Sequence, residues 1–215
     1  MLTCSAVTKQ RHYWSSERSC KPIKDTLMPW KPDMVLWEKS LPIAFGPQPD
    51  FLWKDVISFV ELSSTPYSKS TDTGTVCNNV MHKVYGIFAS QPGQQYLFAL
   101  SIANQEFCAH MFDCSGVVHS HPYNIHWSLC VLLCMLGLLA FSNPDHVGCD
   151  ATLVYFSPSS SQFTSPGTIQ AGPLMYTIIC QLFFNFLICG QGMSGWHIWR
   201  DSEDYMIKDS WTHAS

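Results

Sequence analysis

The chain has 215 residues, of which 47% are hydrophobic and only 13% are charged. A domain typically has about 100–150 residues, so this length allows one large or two small domains with a real core. The charged share is about half of the usual ~25%, which argues against long-range disorder and against a coiled coil. The formal net charge is −4 and no segment concentrates lysine or arginine, so the sequence does not predict a nucleic-acid-binding protein.

The cysteines and the apolar segments favour an intracellular protein outside the membrane. Ten cysteines occur without regular spacing or a C-x-x-C pair, which favours reduced thiols, and the first residues lack the apolar run of a signal peptide. The apolar segment 129–141 is shorter than the ~20 residues of a membrane helix, and Gln181 and Asn185 interrupt the segment 174–189. We therefore predict a cytoplasmic or nuclear protein with no membrane partner, and a small membrane protein stays as the alternative.

Composition divides the chain into four predicted regions. Residues 1–27 lack any period and are predicted to be a loose tail. Residues 28–150 have the patterns of an α/β domain. Residues 151–172 are rich in Ser and Pro and are predicted to be a linker, and residues 173–215 begin a second sheet.

Within residues 28–150 the predicted order is β, β, α, β, β, α. Strands are indicated by KPDMVLW and KDVISFVELSS, and a helix by the spacing of Val80, Val84 and Ile87. A hairpin that turns at Asn104 and a buried apolar helix over 129–141 follow. After the linker, the pattern predicts strand, glycine-rich turn, strand, polar turn and strand, so the fold class is α+β.

Gly190, Gly192 and Gly195 form a G-x-G-x-x-G motif directly after an apolar strand. A dinucleotide-binding fold requires a helix after these glycines, but a strand and a turn follow here. In a kinase the glycines join two antiparallel strands, and a lysine on the next strand contacts the phosphates, which is where Lys208 lies. A structural hairpin with a solvated lysine is the alternative that the motif leaves open.

Three longer segments, residues 88–126, 143–153 and 173–211, closely resemble the fungal-type protein kinase domain family, and the resemblance covers about residues 28–215. It implies a kinase-associated α/β domain followed by the first strands of a kinase N-lobe. It also implies that Gly190, Gly192, Gly195 and Lys208 contact ATP with Mg²⁺.

The same resemblance shows which kinase motifs these residues lack. Only seven residues follow Lys208, and they contain no αC glutamate, no H-R-D catalytic loop and no D-F-G motif. We therefore expect a truncated, catalytically inactive kinase-like protein with no catalytic residues and at best weak nucleotide binding. The alternatives are a non-catalytic α/β module that binds an unknown protein partner and a fragment of a longer active Ser/Thr-type kinase.

Asp33 and Glu61 lie on two successive predicted strands, as do the metal-binding carboxylates of PD-(D/E)XK nucleases. That pattern requires a lysine at position 63, where this chain has Ser63, and a basic groove is lacking. The sequence leaves open an inactive relic of that fold, an ordinary α/β module and, least favoured, an active nuclease.

The histidines and cysteines between residues 108 and 121 suggest a zinc site at first inspection. Their spacing is not that of paired tetrahedral ligands, so we interpret them as scattered core thiols and surface imidazoles and predict no metal ligand. The residues concerned are Cys108, His110, Cys114, His119 and His121.

Overall fold

The computed structural model describes residues 12–16, 19, 22–23, 30–38, 52–67, 73–155, 167–185 and 192–211. These residues form two β-sheets and two α-helices, so the predicted α+β class is confirmed.

The first sheet has seven strands, of which six lie side by side in chain order. They are β1 (His12–Ser15), β2 (Met34–Glu38), β3 (Val56–Ser63), β4 (Tyr96–Ala103), β5 (Glu106–Asp113) and β6 (Gly116–His119), with β7 (Tyr123–Asn124) paired to β5. β3 and β4 are parallel, and the other pairs are antiparallel. The hairpin predicted at Asn104 is confirmed, because this residue takes the φ of 57° that the tight turn between β4 and β5 requires.

The helix α1 (Thr73–Ser90) connects β3 to β4. Because these two strands are parallel, their connection has to cross over the sheet, and α1 makes that crossing. The stripe of Val80, Val84 and Ile87 that predicted the helix is fully buried, in one core cluster with Phe59 and Leu97 of the sheet. The predicted helix is therefore confirmed, and it covers one face of the first sheet.

The prediction of a loose tail over residues 1–27 is wrong for β1. This strand pairs antiparallel with β2, and His12 is only 1% exposed. The ring of His12 bonds the carbonyl oxygen of Ser142 through Nε2 at 3.2 Å, and Trp14 donates from Nε1 to the carbonyl oxygen of Leu136 at 3.3 Å. Aromatic side chains with a polar end thus fix a four-residue strand that is too short to show a period.

The second helix, α2 (Leu129–Phe141), covers the opposite face of the first sheet. Its residues Leu132 and Leu139 pack in clusters that contain Leu36, Val60 and Leu100. These strand positions alternate with those that contact α1, so the sheet has a core on both faces.

The prediction of a buried helix over 129–141 is correct in its bounds and wrong in its burial. Leu132 and Leu139 are 6% and 7% exposed, whereas Leu133 and Leu138 are 57% and 68% exposed. A helix that is apolar all round has only one face on a sheet, so its other face stays outside. Within the described part of the chain, no helix combines the length and the hydropathy that a membrane span requires.

The second sheet has five antiparallel strands in the order β12, β11, β10, β9, β8. They are β8 (Leu153–Tyr155), β9 (Gly167–Ala171), β10 (Leu174–Asn185), β11 (Gly192–Arg200) and β12 (Glu203–Trp211). The three strands predicted after the linker are confirmed as β10, β11 and β12. Asp201 and Ser202 form the turn between β11 and β12, and both take positive φ, as a two-residue hairpin turn requires.

The interval 151–172, predicted to be a linker, contains two of these strands. β8 lies at its start and β9 at its end, and both pair within the second sheet. Residues 156–166, which hold most of the Ser and Pro, lie outside the described residues. The linker prediction was based on the composition of the whole interval, so it missed a strand of three residues and a strand of five residues.

One face of the second sheet is buried and the other is exposed. The buried face consists of Leu153, Ile169, Ile178, Trp196 and Ile198.

Two backbone hydrogen bonds of 2.7 Å connect the segment before β8 to the loop before β4. The N–H of Gln95 donates to the carbonyl oxygen of Gly148, and the N–H of Asp150 donates to that of Gly93.

Candidate functional site

The residues predicted to contact nucleotide phosphates are Gly190, Gly192, Gly195 and Lys208. Gly190 lies outside the described residues. Gly192 is the first residue of β11 and pairs with Trp211. Gly195 of β11 and Lys208 of β12 are direct partners across the strand pair, so the fold brings two of the four residues together.

Gly195 and Lys208 lie on the exposed face of the second sheet, where Gly195 itself is buried. Their chain neighbours Trp196 and Ile207 pack in the buried cluster, and successive residues of a strand point to opposite faces. Lys208 is exposed, in agreement with this alternation. Asp209 follows Lys208 and therefore points to the other face.

The ring of Phe183 packs over Gly195 on this exposed face. The two residues are partners across the β10–β11 pair. A Cβ atom at position 195 would lie 2.6 Å from Cδ1 and 2.7 Å from Cζ of Phe183, closer than real Cβ contacts. A side chain at the third glycine of the motif would therefore displace this aromatic ring.

Lys208 also lines a cleft of about 350 Å³ between β9, β12 and the segment before β8. Two carboxylates, Asp150 and Asp209, and two amides, Gln95 and Gln170, line it as well. Burial raises the pKa of Asp209, and the charge of Asp150 raises it further. Two carboxylates that repel each other make this cleft unfavourable for phosphate, which leaves the exposed face as the phosphate-contacting candidate.

The first sheet holds a second polar site, formed by Asp33, Glu61 and Lys83. Asp33 Oδ2 accepts a hydrogen bond of 2.8 Å from the backbone N–H of Leu62, which holds this carboxylate near Glu61. Lys83 Nζ of α1 lies 2.6 Å from Glu61 Oε2, and the two side chains are 4% and 9% exposed. Burial raises the pKa of Glu61, Lys83 opposes that rise, and Asp33 adds to it.

The sequence interpretation missed Lys83 because it required a lysine at position 63. The signal was present in the helix pattern: Lys83 lies three residues after Val80 and four before Ile87, on the buried stripe of α1. A lysine on such a stripe needs a buried acidic partner, because an unpaired buried charge is strongly unfavourable.

A chain of hydrogen bonds runs from Tyr67 to His119 beside this polar site. Tyr67 bonds Ser101, Ser101 bonds His110 Nε2, and His110 Nδ1 lies 2.7 Å from His119 Nδ1. Ser101 is fully buried and is the parallel-strand partner of Glu61. Burial lowers the pKa of His110 to about 4, and His119 contributes to that shift.

The histidines and cysteines that suggested zinc do not form a ligand set where the structure describes them. In the ranges described above, no group of three or more His, Cys, Asp or Glu residues is arranged to hold a metal ion. His110 and His119 bond each other, so their facing nitrogens are already paired.

A family model described as fungal protein kinase matches residues 31–215. No curated protein and no solved structure matches the chain. The match covers the first sheet from β2 onward and all of the second sheet.

Proposed function

The chain belongs to the fungal protein kinase family, and we propose that the exposed face of its second sheet contacts the phosphates of ATP with Mg²⁺. The observation that carries this proposal is the pairing of Gly195 with the exposed Lys208. A glycine permits close approach to the backbone, and the neighbouring ammonium supplies the positive charge that phosphates require.

We expect this contact to be weak. The ring of Phe183 occupies the space above Gly195, so a phosphate reaches that backbone only if the ring moves. Lys208 is exposed, and an exposed charge interacts weakly because water screens it.

The proposal does not include phosphoryl transfer by these 215 residues. Transfer requires a catalytic-loop aspartate and a D-F-G aspartate that holds Mg²⁺, and the sequence contains neither H-R-D nor D-F-G. Kinase-like nucleotide contact without chemistry is the function that this set of residues supports best.

Titration with a fluorescent ATP analogue in the presence of Mg²⁺ tests nucleotide contact. We expect Lys208→Met to weaken binding about fivefold, since loss of an exposed charge contact amounts to about 1 kcal/mol. Lys31→Met is the matched control, because Lys31 is also exposed and lies before β2. Equal binding by the chain and by both variants would contradict the proposal.

We further propose that β2, β3, α1 and β4 form a PD-(D/E)XK-like core, with Lys83 in place of the missing strand lysine. The specific observation is the 2.6 Å ion pair between Lys83 and Glu61. The parallel crossover from β3 through α1 to β4 supports it. Lys83 is 3% exposed and already paired, so it is not available to a phosphodiester, and we propose an inactive relic.

A plasmid-nicking assay with Mg²⁺ or Mn²⁺ tests this second proposal. We expect no cleavage above the buffer background. Cleavage that disappears in both Asp33→Asn and Glu61→Gln, but persists in the control Asp113→Asn, would show an active nuclease instead of a relic.

A further inference from the structure

Three side chains from three neighbouring strands meet on the exposed face of the second sheet: Cys180 of β10, His197 of β11 and Asp204 of β12. Cys180 and His197 are direct partners across the β10–β11 pair. Cys180 Sγ lies 4.0 Å from His197 Nδ1, and His197 Nε2 lies 3.0 Å from Asp204 Oδ1. The imidazole is thus held between a thiol and a carboxylate.

This order of groups matches the requirements of nucleophilic catalysis. A thiol becomes a better nucleophile when a base within hydrogen-bond reach takes its proton, and the base works best when a third group orients it. With its proton on Nε2, His197 donates to Asp204 and presents the Nδ1 lone pair to the S–H of Cys180. Asp204 also stabilises the imidazolium that forms after proton transfer.

The three groups are reachable from solvent. The His197 side chain is 35% exposed, the Asp204 side chain is 70% exposed, and Cys180 is half-buried. Ser101, which also bonds a histidine, is by contrast fully buried. Accessibility therefore selects Cys180 as the candidate nucleophile.

The strands that carry Cys180, His197 and Asp204 also carry exposed apolar side chains. Five large hydrophobic side chains, each between 40% and 64% exposed, lie on neighbouring positions of β10, β11 and β12; they are Ile179, Leu182, Phe183, Trp199 and Met206. A contiguous exposed apolar patch on a soluble protein commonly marks a binding site. Beside the thiol of Cys180, such side chains favour a donor that carries a long hydrocarbon chain over a polar electrophile.

We propose that Cys180, activated by His197 and Asp204, accepts the acyl group of a long-chain acyl thioester. His197 Nδ1 takes the thiol proton, and Cys180 Sγ attacks the thioester carbonyl carbon. The bond between this carbon and the donor sulfur then breaks, and the departing thiolate takes the proton from the imidazolium. One thioester is exchanged for another, and no oxidant or further reactant is needed.

The first test compares Cys180 with other cysteines of the same chain. Cys130 and Cys134 on α2 are exposed, and neither has a histidine partner among the described residues, so they are internal controls. The intact protein is treated briefly with iodoacetamide at neutral pH, and each cysteine peptide is quantified by mass spectrometry. We expect Cys180 to react at least about tenfold faster than either control, since a positioned base commonly contributes that much or more.

Variants then show whether the advantage of Cys180 depends on its neighbours. His197→Gln and Asp204→Asn should both reduce the alkylation rate of Cys180 and leave the alkylation rate of Cys130 unchanged. Asp204→Asn is the milder change, because the side chain of Asp204 is 70% exposed. Glu203→Gln is the matched control, because Glu203 accepts its hydrogen bond from Tyr205. Equal rates at all three cysteines, or a Cys180 rate that neither variant lowers, overturns the proposal.

The second test uses palmitoyl-coenzyme A as the probe and acetyl-coenzyme A as its short-chain comparison. We expect a hydroxylamine-sensitive palmitoyl adduct on the Cys180 peptide that is absent in Cys180→Ser and reduced in Asp204→Asn. Acetyl transfer should be several-fold slower, because an acetyl group gains nothing from the apolar patch. An adduct spread evenly over Cys130, Cys134 and Cys180, or no adduct at all, contradicts the inference.

Discussion

The ring of Phe183 packs over the bare backbone of Gly195, directly across the β10–β11 pair. A glycine that a sequence motif assigns to phosphate contact therefore also has a packing role within the sheet. The two roles make different demands on position 195, because packing concerns Phe183 alone whereas phosphate contact also involves Lys208. Stability and nucleotide affinity can be measured separately, so variants at these positions separate the two roles.

Gly195→Ala should destabilise the fold, because its new Cβ would overlap the ring of Phe183. We expect the free energy of unfolding to fall by about 1 kcal/mol, the low end of the cost of overpacking, because the ring is 40% exposed and can shift. Urea denaturation measures the change. In the background of Phe183→Ala the same substitution should cost much less, and a full cost in that background would show that the ring is not the cause.

Gly137→Ala is the matched control for that experiment. Nothing lies within 4 Å of a Cβ atom at position 137, which is inside α2. Alanine replaces glycine favourably within a helix, so we expect stability to rise by about 0.5–1 kcal/mol.

Lys83→Met should destabilise the first sheet by leaving Glu61 buried without its cation. Breaking a buried ion pair by removing one partner costs about 3–5 kcal/mol, and protonation of Glu61 relieves part of that cost. The double variant Lys83→Met with Glu61→Gln should recover stability relative to Lys83→Met alone. A single variant as stable as the native chain in thermal or urea unfolding would show that the pair contributes nothing.

The raised pKa of Glu61 gives a definite sign to its effect on the pH dependence of stability. Burial raises the pKa of Glu61 in the folded state above its ordinary value of 4.5, so the folded protein binds this proton more tightly than the unfolded chain. The contribution of Glu61 to stability should therefore fall as pH rises above 4.5. Lys83→Met removes the group that opposes the raised pKa, so this fall should be steeper in the variant than in the native chain.

The elements that could be predicted from the sequence are those with a long or strong local signal. The helix α1 has a buried stripe over several turns, and the hairpin at Asn104 has a turn residue that accepts positive φ. β1 and β8 have four and three residues, too few for a period of two to emerge. Pairing with neighbouring strands and packing of aromatic side chains stabilise these two strands. The residues that provide these contacts lie elsewhere in the chain, so the local sequence does not predict the strands.

The candidate sites were predicted from the sequence only where a known motif contains both residues. Gly195 and Lys208 are separated by one hairpin, so strand alternation alone places them together. Lys83 meets Glu61 through the crossover from β3 to α1, and Asp204 meets His197 because a turn at Asp201 and Ser202 fixes the register. No motif contains these pairs, so the sequence interpretation did not find them.

His110 should make the fold less stable in acid. Its pKa is about 4 in the folded protein, because burial disfavours the imidazolium, against 6.5 for an ordinary histidine. The unfolded chain therefore binds the proton more tightly, and the contribution of His110 to stability is full above pH 6.5 and is lost as pH falls toward 4. The loss attributable to His110 is about 3 kcal/mol.

Urea denaturation from pH 4 to pH 7 measures this decline. His110→Gln should flatten the dependence of stability on pH, even if it lowers stability at pH 7. His146→Gln is the control, because the side chain of His146 is 68% exposed. If the slope survives in His110→Gln, another group causes the acid sensitivity.

The chain should transfer no phosphoryl group, although we propose that its exposed lysine contacts phosphates. Transfer needs Mg²⁺ held by one aspartate and a hydroxyl oriented by another, and the motifs that supply them do not occur in these 215 residues. Asp209 follows Lys208 in β12, so its side chain points away from the face on which Gly195 and Lys208 lie. Purified protein incubated with labelled ATP, Mg²⁺ and generic protein substrates should give background incorporation that Lys208→Met does not change. Incorporation above background that Lys208→Met abolishes and Lys31→Met leaves intact would show that Lys208 takes part in catalysis.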